Sequence, residues 1–512
     1  MSAPPATTRW PRAASASAAA ALGALHSLPF VHTEAWALQL VCVGALVALT
    51  SRATPRRAAG FGWLFGTAWL LASVWWLFVS MHRYGGLPAP LAALAVAALG
   101  AALALYLALA MALHARWRRA RVLPDALLFA ALWMGAELAR GMLFTGFPWA
   151  ASGYAHVDSP LAALAPWIGV YGVGAVAALV SALGAAALRQ RRVAPGVAVA
   201  VLLALPAVVG PPEFSRPAGR LEVSLLQTHV AQEQKFAAEH LPATLGWLLQ
   251  AMTGARGALV VAPETAVPVL PWQLAQFDAA YWPALQAAFA SGDRAALVGV
   301  PLGDFDAGYT NSVVGLSGGT TYRYDKHHLV PFGEFIPRGF RWFTELMHIP
   351  LGDFDRGPAA APSFAFAGQR LAPNICYEDL FGEELARRFA DAAAAPTVFV
   401  NVSNIGWFGD TIAVPQHLHI SRLRALEFQR PMLRATNTGA TAVVDHRGRV
   451  THALAPFTRG VLDATVEGRE GLTPYARWAS RFGLWPLVAC VAAAALLAAL
   501  AAAPTRRAPG RT

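Results

Sequence analysis

The stretch APNICYEDLF, residues 372–381, runs from a short apolar segment directly into Cys376, Tyr377, Glu378 and Asp379. An apolar strand that stops abruptly at polar residues points to an α/β sheet, whose sites assemble at strand ends. The pattern recurs on both sides. LEVSLL (221–226), ALVVAPE (258–264), AALVGVP (295–301), TNSVVGL (310–316), RLAPNIC (370–376) and TVFVNVS (397–403) all read as short buried strands. Helical stretches fall between them, including 273–290 and a basic amphipathic one at 417–434. Residues 212–475 therefore predict an α/β domain large enough for its own core.

The rest of the chain is a different material. Overall the 512 residues are 56% hydrophobic and 13% charged, against about 25% charged in ordinary soluble proteins. Apolar segments near the roughly 20 residues needed to cross a bilayer lie at 14–31, 35–50, 60–81, 89–113, 125–145, 160–188, 194–211 and 482–503. The expected architecture is a polytopic α-helical membrane domain of about eight transmembrane helices plus an α/β domain. Residues 1–211 carry seven spans, 212–475 the α/β insert, and 476–512 the eighth span and a tail.

The net charge of +11 is not spread evenly. Residues 212–475 hold 21 Arg and Lys against 25 Asp and Glu, and the remainder holds 19 against 4. That excess sits in short clusters: Arg9 and Arg12; Arg52, Arg56 and Arg57; Arg116 to Arg121; Arg189 to Arg192; Arg506 and Arg507. Every second connection is basic, which is the positive-inside pattern and not a nucleic-acid face. Both termini are expected in the cytoplasm and the α/β domain across the membrane, in a bacterial periplasm. Reading RAASASAAAALGALHS as a cleaved signal peptide leaves an odd number of spans and spoils the alternation.

Three cysteines are too few and too scattered for a disulfide framework or a metal cluster, so neither metal nor cofactor is expected. Cys42 and Cys490 lie in apolar runs and read as small buried hydrophobes. Cys376 differs, because other strand ends offer it partners. Glu264 follows a strand in VVAPETAVP, and Lys326 follows another in YRYDKHHLVPFGEFIP, with Glu334 eight residues on. A carboxylate takes a thiol's proton as general base, and a cation lowers the thiol pKa and offsets an oxyanion. Glu264 and Lys326 suit those roles, with the Tyr377 amide as a further oxyanion donor. Singly, each residue has a plainer reading: a buried thiol, a surface lysine, an acid at a helix start.

In that order APET, DKHHLVPFGE and NICYED resemble the Glu, Lys and Cys motifs of the nitrilase superfamily, which implies a four-layer α-β-β-α sandwich. More narrowly, VPFGEFIP, SNIGWFGDT and RALEFQRPMLRATNTGATAVVDHRGRV resemble the apolipoprotein N-acyltransferase family. The membrane segments GTAWLLASVWWLFVSMHRYGGLP and ELARGMLFTGFPWAASGY do so too. The resemblance implies Glu264 as general base, Lys326 as oxyanion partner and Cys376 as nucleophile. It makes Glu334 and Glu378 supporting carboxylates that hold Lys326, and Tyr377 an amide donor. Asn311 would line the site. Two positions depart from the family pattern: Phe236 stands where Trp is common, and Ile405 where Asp is.

The implied reaction moves an acyl chain from a phospholipid, commonly phosphatidylethanolamine, through a Cys376 thioester to the α-amino group of a diacylated apolipoprotein. The partners are those two lipids and the bilayer, and the protein is expected to be a monomer of the bacterial inner membrane. Lifting acyl chains into water costs about 0.8 kcal/mol per methylene. The thiol therefore has to meet tails arriving sideways, and FRWFTELMHIPL (340–351) and NIGWFGD (404–410) are candidate arms or lids.

Within the spans, Glu137 and Arg140 share a helix face as an ion pair or a headgroup contact. Gly169, Gly172 and Gly174 read as close helix packing. A membrane-anchored nitrilase-type hydrolase would share the triad without an amine acceptor. A transporter or receptor would need polar, interrupted helices around a midplane site, and ionisable residues are nearly absent there.

Overall fold

The computed structural model describes residues 12–337 and 354–502. Each of the eight apolar stretches is helical. Among the described residues five helices are long and apolar enough to cross a membrane: Thr33–Thr50, Ala89–Trp117, Val122–Thr145, Pro160–Gln190 and Trp485–Ala502. A sixth span is counted if Pro55–Val74 and Leu77–Tyr84, bent by 62°, are taken as one. The other two of the expected eight are shorter. Arg12–His26 has 15 residues and is followed by a turn containing Pro29, and Val193–Val209 has 17 and stops at Gly210, whose φ is +67°.

Pro160–Gln190 is interrupted. Gly169 has a φ of +64°, and a Cβ there would lie 2.4 Å from the Tyr475 ring, so only glycine fits this break. The expectation of simple close packing holds for Gly174, whose Cβ would meet Ser152 and Glu137, but Gly169 is a helix break. The freed amide of Val170 donates to Glu427 Oε1 at 2.7 Å, so a side chain from the α/β region caps a membrane helix. Cys42 is buried, but Cys490 is exposed. It lies on Trp485–Ala502, a helix at the edge of the bundle with none of its window buried by protein.

Among the described residues the α/β region contains two six-stranded sheets. The first follows the order β12 (Gly460–Glu470), β1 (Arg216–Gln227), β2 (Leu259–Val261), β3 (Ala295–Asp304), β4 (Gly308–Ser317) and β5 (Thr320–Asp325). The second follows β11 (Val450–Ala453), β10 (Ala442–Val444), β9 (Met432–Thr436), β8 (Val398–Ser403), β7 (Gln369–Ile375) and β6 (Phe364–Phe366). In the first sheet β1, β2 and β3 pair in parallel, as do β7, β8 and β9 in the second.

Alternation of side chains fixes the layers. Leu259, Val261 and Leu297 face Leu371, Val400 and Leu433 in a core between the sheets. Their neighbours Val260, Ala296 and Val298 point outward beneath Leu241–Gly254, Pro271–Phe277 and Tyr281–Ala288. On the other side Ala372, Phe399 and Met432 meet Gly382–Ala386, Ala413–Phe428 and Pro474–Phe482. The result is the α-β-β-α sandwich.

Two helical expectations change. The stretch 273–290 is two helices, broken where the Asp278 carboxylate takes the Ala280 amide. The stretch 417–434 is a helix ending at Phe428 and then β9. It is not amphipathic towards water, because Arg424, Arg430 and Arg434 are all fully buried. The helix is sandwiched between its own sheet and the membrane helices, so Ile420 and Leu423 join the same apolar cluster as Trp133 and Tyr154.

Candidate active site

Three strand ends converge. Glu264 follows β2, Lys326 is the first residue after β5, and Cys376 the first after β7. The chain at Glu264 crosses β3 where Gly299 stands. A Cβ on Gly299 would lie 2.2 Å from the Pro263 carbonyl and 2.7 Å from Glu264 Cα, both backbone atoms that cannot swing aside. Gly299→Ala is therefore expected to displace Glu264 and cut the rate of a reaction that uses this carboxylate about 100-fold, the size of effect that a 1 Å misplacement produces. Initial-rate assays on folded variant check this.

The Glu264 carboxylate is held on both oxygens. Oε1 accepts from Asn311 Nδ2 at 2.8 Å and from Lys326 Nζ at 3.3 Å, and Oε2 from the Asn404 amide at 2.8 Å. Glu334 Oε1 also accepts from Asn311 Nδ2 and Lys326 Nζ, at 2.8 and 2.9 Å, while its Oε2 takes the Val330 amide. Lys326 is 1% exposed. Burial pulls its ammonium down, but Glu334 and Glu264 more than reverse that, and its pKa is raised.

Cys376 has a φ of +52°, an uncommon conformation for a residue with a side chain, at a cost of order 1–3 kcal/mol. Its carbonyl accepts from Asn401 Nδ2 and His417 Nε2, each at 3.2 Å, which secures the turn. Below it Asp379 is buried with His417, Ser421 and Arg434. Asp379 Oδ1 accepts from His417 Nε2 at 2.9 Å, Oδ2 from Ser421 Oγ and, at 3.3 Å, from Arg434. Burial pushes the Cys376 thiol up to about 12, Glu264 adds to that, and Lys326 and Ser403 oppose it. The resting state is therefore a thiol, and deprotonation has to be coupled to attack.

Glu378, expected to hold Lys326, turns to other donors. It accepts from the amides of His327, His328 and Ile375 and from Tyr324 Oη, tying the Lys326 loop to the Cys376 turn. A carboxylate surrounded by four close donors has no need of the ammonium. Tyr377 directs its hydroxyl to the Gly146 carbonyl at 3.2 Å, so the residue after the thiol is fastened to a membrane connection. Ile405, at the second departure from the family pattern, is buried and packs against Cys376 with Val414 and Ala440. Phe236, at the first, is half exposed.

Sequence reasoning missed Lys235, Asn404, Asp379, His417 and Arg434. Lys235 and Asn404 lie within segments singled out for their neighbours, and Asp379 stands beside Glu378.

The site abuts the membrane helices. Tyr377, Leu380 and Phe381 belong to the same apolar cluster as Trp76, Trp149 and Tyr171. Gln416 accepts from the indoles of Trp76 and Trp149 and donates to the Ser73 carbonyl. In the NIGWFGD segment, Phe408 lies against Trp76, with ring centroids 4.3 Å apart. The other candidate arm, 340–351, lies outside the described residues. Deeper in the bundle Glu137 and Arg140 approach to 3.8 Å. Glu137 accepts from Ser152 and Arg140 donates to the carbonyls of Phe147, Trp149 and Ala150, an internal polar knot. Among the described residues no group of three or more His, Cys, Asp or Glu has a metal-holding arrangement.

Residues 22–183 match the profile of the apolipoprotein N-acyltransferase N-terminal domain, and residues 223–475 that of carbon-nitrogen hydrolases. An apolipoprotein N-acyltransferase of Verminephrobacter eiseniae is 54% identical over 88% of this chain and 89% of its own length. One of Ralstonia nicotianae is 46% identical over 90% and 89%. Among solved structures, a carbon-nitrogen hydrolase from Helicobacter pylori aligns with 53% of this chain and 95% of its own, at 18% identity and a TM-score of 0.36.

Proposed function

The chain belongs to the apolipoprotein N-acyltransferase family, and from that premise we propose that Glu264, Lys326 and Cys376 carry the acyl group from phospholipid to lipoprotein through a thioester. The observation that carries this reading is the shared, buried hydrogen-bond cluster of Glu264, Lys326, Glu334 and Asn311 beside a thiol whose turn is packed into the membrane helices' apolar cluster.

In the first half-reaction Glu264 takes the thiol proton as Cys376 sulfur attacks the ester carbonyl of a phospholipid such as phosphatidylethanolamine. Lys326 and the Tyr377 amide offset the tetrahedral oxyanion. The C–O bond breaks, Glu264 returns the proton to the leaving alkoxide, and a lysophospholipid departs. In the second, the α-amino group of the diacylglyceryl cysteine attacks the thioester, Glu264 accepts its proton, and the thiol is restored as the amide forms. An α-amino group has a pKa near 8, so at neutral pH a positioned carboxylate aids its deprotonation.

Residues 1–211 and 476–512 are assigned to the inner membrane and 212–475 to the periplasmic side, with both termini cytoplasmic. The alternating arginine clusters support this orientation. The acyl tails stay in lipid while the ester reaches Cys376 past Phe408 and Tyr377.

The experiment is direct. Purified protein is incubated with phosphatidylethanolamine, and the peptide carrying Cys376 is weighed by mass spectrometry. An acyl mass on that peptide, discharged by a diacylated lipopeptide with formation of its N-acylated product, is expected. Lipopeptide acylation without any adduct on Cys376 overturns the thioester. Fatty acid released at an equal rate without lipopeptide points instead to a hydrolase.

A further inference from the structure

The mechanism above uses one ammonium, yet a second is buried against the base. Lys235 lies between β1 and the Leu241–Gly254 helix, is 4% exposed, and donates from Nζ to the Glu264 carbonyl oxygen at 3.0 Å. Its segment is fastened at several points. Val230 exchanges hydrogen bonds with the Asn437 side chain, and Gln232 Oε1 accepts from Asn404 Nδ2, the same residue whose amide binds Glu264. At the outer edge Glu233 pairs with Arg83 at 2.6 Å.

A carbonyl oxygen alone does not offset a buried charge, so the reason for this ammonium lies in the surrounding field. Around the thiol stand the carboxylates of Glu264 after β2, Glu334 after β5, and Glu378, which takes Tyr324 Oη. Beneath it Asp379 is matched by Arg434 and His417, and Ser403 at the end of β8 and Tyr377 complete the polar surroundings. Arg434 also acts on Cys376 but is matched by Asp379, so among the described residues around the thiol Lys326 is one positive charge against Glu264, Glu334 and Glu378.

Resting on the triad reading of the site, we propose that Lys235 is a positioning residue for the reaction: it clamps the backbone of Glu264 and supplies the second positive charge that makes the Cys376 thiolate attainable. Burial pulls the Lys235 ammonium down to about 8, while Glu264 and Cys376 pull the other way. Its help is thus full below that pH and fades above it.

The test is the pH dependence of Cys376 alkylation by iodoacetamide in the purified full-length protein. Peptide mass spectrometry separates Cys376 from Cys42 and Cys490. At pH 7 Lys235→Met is expected to react about tenfold more slowly than wild type, the scale of one unit charge removed at short range in a partly screened site. Above pH 9 the two converge, because wild type has lost the same charge. Lys235→Arg keeps its charge throughout, so its rate advantage persists to pH 10. A purely structural role would lower the melting temperature and leave these profiles superimposed, and that result overturns the proposal. If Lys235→Met does not yield folded protein, the comparison of Lys235→Arg with wild type decides, and identical profiles from pH 7 to 10 overturn it. A Cys376 unreactive in wild type across the range overturns the triad reading, and this proposal with it.

Discussion

Lys326→Met will lower the rate of acyl-enzyme formation by about 10⁴-fold, because one side chain serves two parts of the step. Removing a single oxyanion donor typically costs about 10²–10³ and losing a general base about 10²–10⁴. Lys326 donates to Glu264 at 3.3 Å and to Glu334 at 2.9 Å, and both carboxylates also share Asn311 Nδ2. Without the ammonium, two like charges face each other around one amide in a dry site, and such pairs do not both stay ionised. One takes a proton. When it is Glu264, the thiol has no acceptor for its own proton, and the oxyanion has lost its cation as well. The measurement is a single-turnover assay of acyl mass on the Cys376 peptide, with the melting temperature recorded beside it. A folded variant within tenfold of wild type would remove Lys326 from the chemistry.

How far the chain's own letters disclose this site depends on the kind of contact involved. The strand ends at Glu264 and Cys376 are legible because a short apolar run breaks off at each, and Lys326 because a motif of mixed residues surrounds it; Leu259, Val260 and Val261 are all apolar, so which of them faces inward appears only in the fold. What brings the three ends together is the stacking of the two sheets, Glu264 and Lys326 on the first and Cys376 on the second, which local pattern does not encode. Arg424, Arg430 and Arg434 read as a basic solvent face because charged residues are almost never fully buried without a partner. Their partners are hidden at other distances: Glu427 is three residues from Arg424, Asp379 is 55 from Arg434, and Arg430 binds the carbonyls of Pro396 and Gly471. Lys235 is illegible for the same reason, since its acceptor is a backbone carbonyl that every residue possesses. The contact of Tyr377 with Gly146 spans 231 positions, so the docking of the nucleophile's turn onto the membrane helices appears only in three dimensions.

Asp379→Asn will destabilise the protein by about 3–5 kcal/mol, the usual cost of leaving one partner of a buried ion pair uncompensated. Asn keeps the shape but not the charge, and Arg434 is then a fully buried cation whose remaining neighbours are Ser421, His417 and the Ala440 carbonyl. The effect reaches the thiol, because His417 bridges Asp379 to the Cys376 carbonyl and so helps to hold that residue at positive φ. Burial by itself would raise the Asp379 pKa, but His417, Arg434 and Ser421 overcome it and hold the carboxyl below its usual value. The sign follows from that depression: the stabilisation is complete above the unfolded value of about 4 and is lost as pH falls through the folded one. The gap between wild type and Asp379→Asn in detergent should therefore be widest near pH 7 and shrink on acidification below pH 4. Unfolding of a membrane protein is commonly irreversible, so the comparison is of inactivation rates at a fixed temperature. Asp379→Asn combined with Arg434→Met, which removes both charges, should recover part of the loss, since an apolar replacement leaves no unpaired ion. Equal inactivation rates for wild type and Asp379→Asn at pH 7 would show that the turn bearing Cys376 is held by its carbonyl contacts alone.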